Sequence, residues 1–325
     1  MTDHEKISRR EFLVRGGKAA ALAAACTGAG FALHVSEKFP FDSHDDKALV
    51  RDLRIPGIER RMVLARGESP VRITRAVIER LGGMKVFIQP GDVVVVKPNI
   101  GWDRTAEQAA NTNPDVVAEI VRLCLAAGAI RVIVADITCN ETERCYQRSG
   151  IAEAATAAGA IVERPVEAGF RSVNMGGAML GTQLVYRTFL EADKVINVPI
   201  VKHHSLTGAT LGLKNLYGIL GGNRSRLHQD VHDSLADLGN FLRPTLTVMD
   251  AYRVLRRNGP QGGNLADVEI CRTVIASTDP VAVDAFAAEK WFGLTEEQLP
   301  YLRLAEKYGL GSASYREIPM NELTD

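Results

Sequence analysis

Short, continuous apolar runs alternate with amphipathic segments of helical spacing along most of this 325-residue chain. Runs such as VVVVKPN (93–99) are rich in β-branched residues, which is typical of strands buried on both faces of a sheet. The segment that begins at Asn113-Pro114 places apolar residues on one helical face and ends at Gly128. Strands that alternate with helices predict an α/β fold, with a mostly parallel sheet and helices on both faces in Rossmann-like layers.

The predicted elements are the strands 62–67, 93–99, 130–137, 160–166, 192–202, 246–252 and 271–278, and the helices 70–83, 114–128, 149–159 and 279–293.

A charged motif followed by a mild apolar stretch opens the chain. Residues 8–13 read SRREFL and contain the pair Arg9 and Arg10, and the Ala-rich stretch 19–33 follows. A membrane span needs about 20 strongly apolar residues, so this stretch is too short and too mild for one. The ordered combination predicts a twin-arginine export signal read by the twin-arginine translocase, whereas the alternative is an ordinary helix with a chance arginine pair.

This signal sets the predicted organisation and location. Residues 1–35 form the signal segment, 36–46 a polar linker, and 47–325 a single α/β domain. The protein is expected to be exported, either to the periplasm or to another extracytoplasmic site. An uncleaved signal, or a lipid on Cys26, would keep it at the membrane.

The charge balance excludes one class of partner. Lys and Arg number 39, as do Asp and Glu, so the chain has no basic excess of the kind that binds nucleic acid. The five cysteines lack the short C-x2-C repeats of a structural zinc or ferredoxin site. Partners are therefore sought among small molecules.

Polar residues stand at the ends of the apolar strands. Ligands bind beyond the carboxyl ends of strands in open α/β sheets, so these residues predict one site at that edge. The alternative is that Asp and Asn form turns and helix caps. That alternative accounts for Asp279 before Pro280, but not for lysines at strand ends. The strand-end residues are Lys97, Asn99, Asp136, Lys202, His203, His204, Asp250 and Asp279.

The segment 201–218, VKHHSLTGATLGLKNLYG, has the highest density of polar candidates. Its Thr- and Gly-containing turn can bring backbone amides close to a ligand. It is not a phosphate-binding Walker A loop, because Leu213 follows Gly212. Lysines can hold a phosphate or carboxylate, and imidazoles can bind a metal or move protons. His228 and His232 are four residues apart, which on a helix suits either a metal or an exposed face.

These observations assign three candidate roles. The catalytic candidates are Asp136, His203, His204 and Lys214. The ligand-binding candidates are Lys97, Asn99, Lys202, Thr207, Gly208, Asn215 and Asp250. The metal-binding candidates are His203 and His228.

The cysteines outside the signal do not predict a built-in four-iron cluster, which needs four thiolates. Cys139 and Cys145 follow the strand that ends at Asp136, where they form a disulfide, bind a metal or have no joint role. Cys124 and Cys271 lie at apolar positions and are expected in the core.

Six motifs in a fixed order resemble those of a known family. They are LGGM (81–84), GDVVVVKPNIG (91–101), ADKVINVPIVKHH (192–204), TGATLGLKNLYG (207–218), LTVMDAY (246–252) and STDPVAVDAF (277–286). From about Met62 to the C-terminal helices the chain resembles the domain of unknown function 362 family. That resemblance implies no agreed reaction. Many relatives carry a ferredoxin-like iron–sulfur segment and have redox neighbours, but this chain has no C-x2-C-x2-C run.

A looser similarity is to nickel-pincer lactate racemases. Their segment of a histidine, glycines and a lysine is similar in outline to His203, Gly208, Gly212 and Lys214. The resulting hypothesis is an exported enzyme, linked to a metal or a redox partner protein, that acts on a small anionic substrate. The alternatives are a non-catalytic periplasmic protein that binds a ligand or cofactor, and a racemase-like enzyme. The cofactor stays unknown, with a metal ion as one option.

Overall fold

The computed structural model describes residues 48–224, 227 and 229–324. These residues belong to one compact unit, 47–325. The predicted export signal with Arg9 and Arg10, the linker, Cys26 and His228 lie outside the described residues. The described strands are β1 (Arg51–Asp52), β2 (Met62–Arg66), β3 (Val93–Pro98), β4 (Arg131–Val134), β5 (Ile161–Val162), β6 (Phe170–Asn174), β7 (Thr182–Tyr186), β8 (Lys194–Val198), β9 (Ile200–His204), β10 (Gly208–Thr210), β11 (Leu242–Arg243), β12 (Leu246–Leu255), β13 (Val268–Ser277) and β14 (Met320–Thr324). The described helices are α1 (Pro70–Arg80), α2 (Pro114–Ala127), α3 (Thr142–Arg148), α4 (Ile151–Ala157), α5 (Arg187–Glu191), α6 (Gly212–Asn215), α7 (Val231–Phe241), α8 (Pro280–Phe292) and α9 (Tyr301–Lys307).

A large, mostly parallel sheet confirms the predicted fold class. Its strand order is β14-β2-β13-β12-β8-β3-β4-β5. Along this path β13 pairs antiparallel with both β12 and β2, while the other described pairs are parallel. The carboxyl ends of β3, β4, β8 and β12 therefore point to the same edge. The chain runs outward from β3 through β4 to β5, and then returns to place β8 on the other side of β3. This reversal next to β3 is the kind of crevice in which α/β sheets bind ligands.

Side-chain alternation buries both faces of the sheet. Val94 and Val96 pack in one core together with α1 and α2, whereas Val95 packs in the other core with α7 and α8. Successive strand residues point to opposite faces, so a continuous apolar run supplies both cores. The layers of helices on both faces follow from this pattern.

The ends of the major helices have the expected chemistry. Helix α1 begins after Ser69, whose side chain accepts the backbone N–H of Arg72. Asn113 caps α2 in the same manner, and α2 ends at Gly128 in the left-handed conformation that glycine favours. These signals are local, which is why the helix positions were predictable from sequence.

The predicted strand 192–202 is two strands, and the break is structurally important. Pro199 lacks an N–H and separates β8 from β9, although its carbonyl accepts the N–H of Asp250 at 2.8 Å. Strand β8 pairs with β3 and β12, whereas β9 pairs with β12 and β10. The chain therefore leaves β3 after Pro199 and continues beside β12 and β10.

Two strand-end expectations need correction. The strand that leads to Asp279 is β13, which runs antiparallel to β12, so Asp279 lies at the opposite edge, where it caps α8 through Val281 N and Ala282 N. Asp250 lies inside β12, which continues to Leu255. The predicted strand 160–166 is reduced to the two-residue β5. The β6–β7 hairpin and helices α3, α5, α7 and α9 were not assigned from sequence.

No helix in the part of the chain that the structure describes is long and apolar enough to cross a membrane.

Candidate functional site

A cavity of about 650 Å³ opens where β3, β4 and β9 end. Among the described residues, its wall contains six of the predicted candidates: Asn99, Asp136, Lys202, His204, Lys214 and Asn215. These residues come from four separate segments of the chain. The sheet topology brings them together at the switch in strand order.

A buried ion pair supports one side of this cavity. Lys97, at the end of β3, is fully buried, and its Nζ donates to Asp136 Oδ1 at 2.6 Å and to the Pro98 carbonyl at 3.0 Å. The other carboxylate oxygen of Asp136 accepts the N–H of Ile100 at 2.6 Å. Burial lowers the pKa of Lys97, and the neighbouring carboxylate opposes that effect. Because Asp136 is already engaged by Lys97, the pair fixes the cavity wall.

Gly218 is required by this ion pair. A Cβ atom placed on Gly218 would lie 1.7 Å from Asp136 Oδ1 and 2.6 Å from Lys97 Nζ. Gly218 also accepts the N–H of Ile137 through its carbonyl at 2.9 Å. The backbone after α6 therefore packs directly against the ion pair, at a distance that only glycine permits.

Lys202 projects from β9 and is 1% exposed. Its Nζ donates to Asn99 Oδ1 at 3.0 Å and to the Ala110 carbonyl at 2.6 Å. It lies 5.9 Å from the centroid of the Trp102 ring. Burial lowers the pKa of Lys202 to about 7. A substantial fraction of this amine is neutral near pH 7, which is unusual for lysine.

Lys214 lies on the short helix α6 and is 6% exposed. Its Nζ is 4.5 Å from the centroid of the Tyr217 ring. Burial, together with a smaller effect of the positive charge of Arg224, lowers the pKa of Lys214 to about 8, although the charge of the nearby Cys139 thiolate opposes that shift. The cavity therefore has two lysines that can change protonation state near neutral pH.

Sequence reasoning missed the residue that holds α6 in place. The carboxylate of Asp284, on α8, accepts the N–H of Gly212 at 2.6 Å and the N–H of Leu213 at 3.0 Å. It is fully buried, and burial raises its pKa to about 7. The motif STDPVAVDAF contains Asp284, but its apolar surroundings indicated only a helix.

A chain of amides joins α6 to the sheet. Asn215 Nδ2 donates to the Lys97 carbonyl at 3.2 Å and to Asn197 Oδ1 at 2.9 Å, and Asn215 Oδ1 accepts from Asn99 Nδ2 at 3.0 Å. Asn197 Nδ2 in turn donates to the Gly212 carbonyl at 2.9 Å. These bonds fix Asn99 and Asn215 relative to Lys97. Asn197 was missed because it lies within an apolar strand.

Further lining residues were not among the candidates. Arg224 donates to the carbonyls of Ile137 at 2.9 Å and Thr138 at 2.6 Å, and its Nη2 lies 3.8 Å from Cys139 Sγ. Thr210 Oγ1 is buried and has no hydrogen-bond partner among the described residues. A threonine on a short strand, or an arginine outside the major helices and strands, carries no sequence signal of this kind.

Five described candidates lie outside this lining: Lys97, whose ion pair supports the wall, and four others, His203, Thr207, Gly208 and Asp250. His203 Nδ1 accepts the N–H of Gly259 at 3.1 Å. Asp250 accepts the N–H groups of Asn113 and Tyr252 at 2.8 and 2.9 Å, and burial raises its pKa to about 6. Thr207 Oγ1 donates to the carbonyl of Ala209, and Gly208 adopts a left-handed backbone conformation at φ +68°.

These four residues hold the strands and the turn around the cavity. His204 does line the cavity, and its Nδ1 accepts the N–H of Leu206 at 3.1 Å.

The described residues contain no group of three or more His, Cys, Asp or Glu side chains placed to hold a metal ion. The four described cysteines are free: Cys124 and Cys145 are buried, Cys271 is half-buried on β13, and Cys139 is exposed on the cavity wall. The buried thiols of Cys124 and Cys145 pack in the core.

Residues 94–289 match the family described as "Domain of unknown function (DUF362)". The chain belongs to the DUF362 family. The matched range includes β3, β4, β9 and α6, and so it contains every described residue that lines the cavity. The match therefore covers the site and the central strands of the sheet, whereas β2 and β14 lie outside it.

Two further similarities are more distant. A protein named "Thylakoid-associated protein" from Synechocystis sp. is 27% identical over 251 residues, which cover 73% of this chain and 74% of that protein. The solved structure of the lactate racemase apoprotein from Thermoanaerobacterium thermosaccharolyticum has a TM-score of 0.43 and 14% identity. The match covers 74% of this chain and spans 58% of the racemase.

Proposed function

We propose that this DUF362 protein is an exported enzyme that binds a small organic anion in the cavity and exchanges a proton with it. One observation carries the proposal. Lys202 and Lys214 both line the cavity, both are almost fully buried, and burial brings their pKa values to about 7 and about 8. Strongly perturbed groups that meet in a cavity are typical of catalytic sites.

Lys202 and Lys214 have different contacts, and we assign them different roles on that basis. Lys202 donates to Asn99 Oδ1 and to the Ala110 carbonyl, so its ammonium group is oriented and serves to hold the anion. Lys214 faces the ring of Tyr217 and carries the proton-transfer role. A proton-transfer group works best when its pKa lies near the working pH, which a pKa of about 8 satisfies.

The proposal includes export through the twin-arginine translocase, on the strength of Arg9 and Arg10. The name of the thylakoid-associated relative supports a location at or beyond a membrane. A metal ion or a redox partner protein remains part of the wider hypothesis.

The test combines binding with isotope exchange. A panel of small carboxylates and 2-hydroxy acids is titrated by calorimetry, and each binder is incubated in D2O and followed by NMR. Wild-type protein is expected to bind at least one anion and to exchange a carbon-bound proton for deuterium. Lys214→Met should abolish that exchange, whereas Lys307→Met, at an exposed lysine outside the cavity, should not.

Three outcomes separate the hypotheses. Exchange that depends on Lys214 supports the enzyme, including a racemase-like reaction that removes and returns the carbon-bound hydrogen as a proton. Binding without exchange favours the alternative of a non-catalytic periplasmic binding protein. Failure of every anion to bind would overturn both.

A further inference from the structure

Among the described residues at the cavity, cationic side chains outnumber carboxylates. The charge of Lys97 is matched by Asp136 at 2.6 Å. Beyond that pair, Lys202, Lys214 and Arg224 also line or reach the cavity. Burial is the main cause of the lowered pKa of both lysines and Cys139 opposes it, but the cations are also close enough that Lys214 contributes to the lowered pKa of Lys202 and Arg224 to that of Lys214. Several neighbouring cations repel one another, so an occupant with one negative charge leaves part of that repulsion in place.

A second part of the wall is apolar. Trp102 and Tyr217 present aromatic rings next to Lys202 and Lys214, respectively. Leu206, in the turn between β9 and β10, is 65% exposed and also lines the cavity. An exposed leucine is ordinary by itself. Here it extends an aromatic wall beside a cluster of cations, and together these side chains fit a ligand with an apolar body.

An unsatisfied hydroxyl gives independent support for a ligand. Thr210 is 4% exposed and lines the cavity, yet its Oγ1 has no hydrogen-bond partner among the described residues. Thr210 is paired with Lys202 across the β9–β10 ladder, so its hydroxyl belongs to the same wall as that ammonium group. Buried hydroxyls are normally hydrogen-bonded, so a polar atom of the occupant accounts for this one.

The size of the cavity restricts the occupant further. Cavities of about 300–1,000 Å³ accommodate ligands of drug or cofactor size. At about 650 Å³, this cavity exceeds what a two- or three-carbon acid fills.

Resting on the anion site described under the proposed function, we propose that the occupant is an organic dianion with a flat apolar body. Its anionic groups meet Lys202, Lys214 and Arg224, and one of them accepts the hydroxyl hydrogen of Thr210. Its body lies against Trp102 and Leu206.

Three probe anions test the two features separately, by calorimetry on the full chain at pH 7. Naphthalene-2,6-dicarboxylate has both the charge and the flat body, adipate has the charge alone, and 2-naphthoate has the body with a single charge. We expect naphthalene-2,6-dicarboxylate to bind at least tenfold more tightly than either of the others. If naphthalene-2,6-dicarboxylate and adipate bind with equal affinity, the claim that the ligand has an apolar body is wrong. If naphthalene-2,6-dicarboxylate and 2-naphthoate bind with equal affinity, the claim that the ligand is a dianion is wrong.

Two variants assign the effect to named side chains. Leu206→Ser should weaken the binding of naphthalene-2,6-dicarboxylate at least threefold and leave the affinity for adipate unchanged. Leu265→Ser, at another exposed leucine outside the cavity, should change neither. Thr210→Val keeps the shape of the side chain but removes its hydroxyl. We expect it to lower the affinity for both dianions by roughly tenfold, which is the contribution typical of a hydrogen bond to a charged group. Unchanged affinity in both Leu206→Ser and Thr210→Val would place the ligand elsewhere and overturn the proposal.

The outcomes also separate this inference from the proposed function. If the three probes bind with similar affinity and Lys202→Met abolishes binding, the anion site stands and the dianion class is wrong. If none of the probes and none of the small acids binds, the anion site itself fails.

Discussion

The buried ion pair between Lys97 and Asp136 can be tested by removing one charge and then both. Lys97→Met keeps the length of the side chain but leaves the carboxylate of Asp136 without its partner at 2.6 Å. Asp136 would retain the N–H of Ile100, and the Pro98 carbonyl would lose its donor. Since both side chains are almost fully buried, the free energy of unfolding should fall by about 3–5 kcal/mol. That is a large part of the roughly 5–15 kcal/mol typical of a whole protein.

The double variant Lys97→Met/Asp136→Asn provides the control. It removes both charges, and the new amide can still accept the N–H of Ile100. We expect it to recover most of the stability lost in Lys97→Met, as measured by urea denaturation followed by circular dichroism. A loss below about 1 kcal/mol in the single variant, or an equal loss in the double variant, would refute a buried charge as the cause.

Three other predictions follow from the described contacts and the sequence. Gly218→Ala should destabilise the fold by at least about 2 kcal/mol in denaturant titrations, because the new methyl group overlaps the buried carboxylate. Stability should also depend on pH: it falls between about pH 4 and 7 as Asp284 ionises in a buried position, and rises from about pH 7 to 10 as Lys202 no longer has to be buried as a cation. Thermal unfolding across this range that shows no minimum near neutrality would contradict those assignments. Finally, Arg9→Lys with Arg10→Lys should stop export in fractionation of a tagged protein, and normal periplasmic yield would exclude the twin-arginine route.

The fold was largely predictable because its signals are local. The β-branched run at 93–99 identifies a strand buried on both faces, and Pro114 and Gly128 mark the ends of a helix. The direction of β13 was not predictable, because antiparallel pairing with β12 depends on contacts distant in sequence. The break at Pro199 has a local cause, because proline has no N–H to donate to a neighbouring strand, so the continuous strand predicted for 192–202 is wrong at that residue.

The candidate site was predictable where side chains follow parallel strands. Asn99, Asp136 and Lys202 meet at one cavity because their strands share an edge. Asp250 and His203 are also next to this edge, but their side chains hydrogen-bond to backbone amides instead of facing the cavity. The orientation of a side chain at a strand end depends on bulges and turns. The sequence pattern does not contain that information.

The supporting residues were the hardest to foresee. Asp284 acts across 72 positions of sequence by accepting the N–H of Gly212. Arg224 lies outside the major helices and strands and reaches the carbonyls of Ile137 and Thr138. Such contacts are set by tertiary packing, so a single sequence gives no signal for them.

The central claim, that buried lysines of lowered pKa bind an anion, is tested most directly by the protons taken up on binding. The heat of binding of naphthalene-2,6-dicarboxylate is measured at pH 8 in two buffers of different ionisation enthalpy. The anion favours the charged forms of Lys202 and Lys214, whose pKa values are about 7 and about 8. We predict uptake on the order of one proton per anion, less at pH 6 where both amines are already charged, and less in Lys214→Met. Binding without proton uptake at pH 8 would contradict the account.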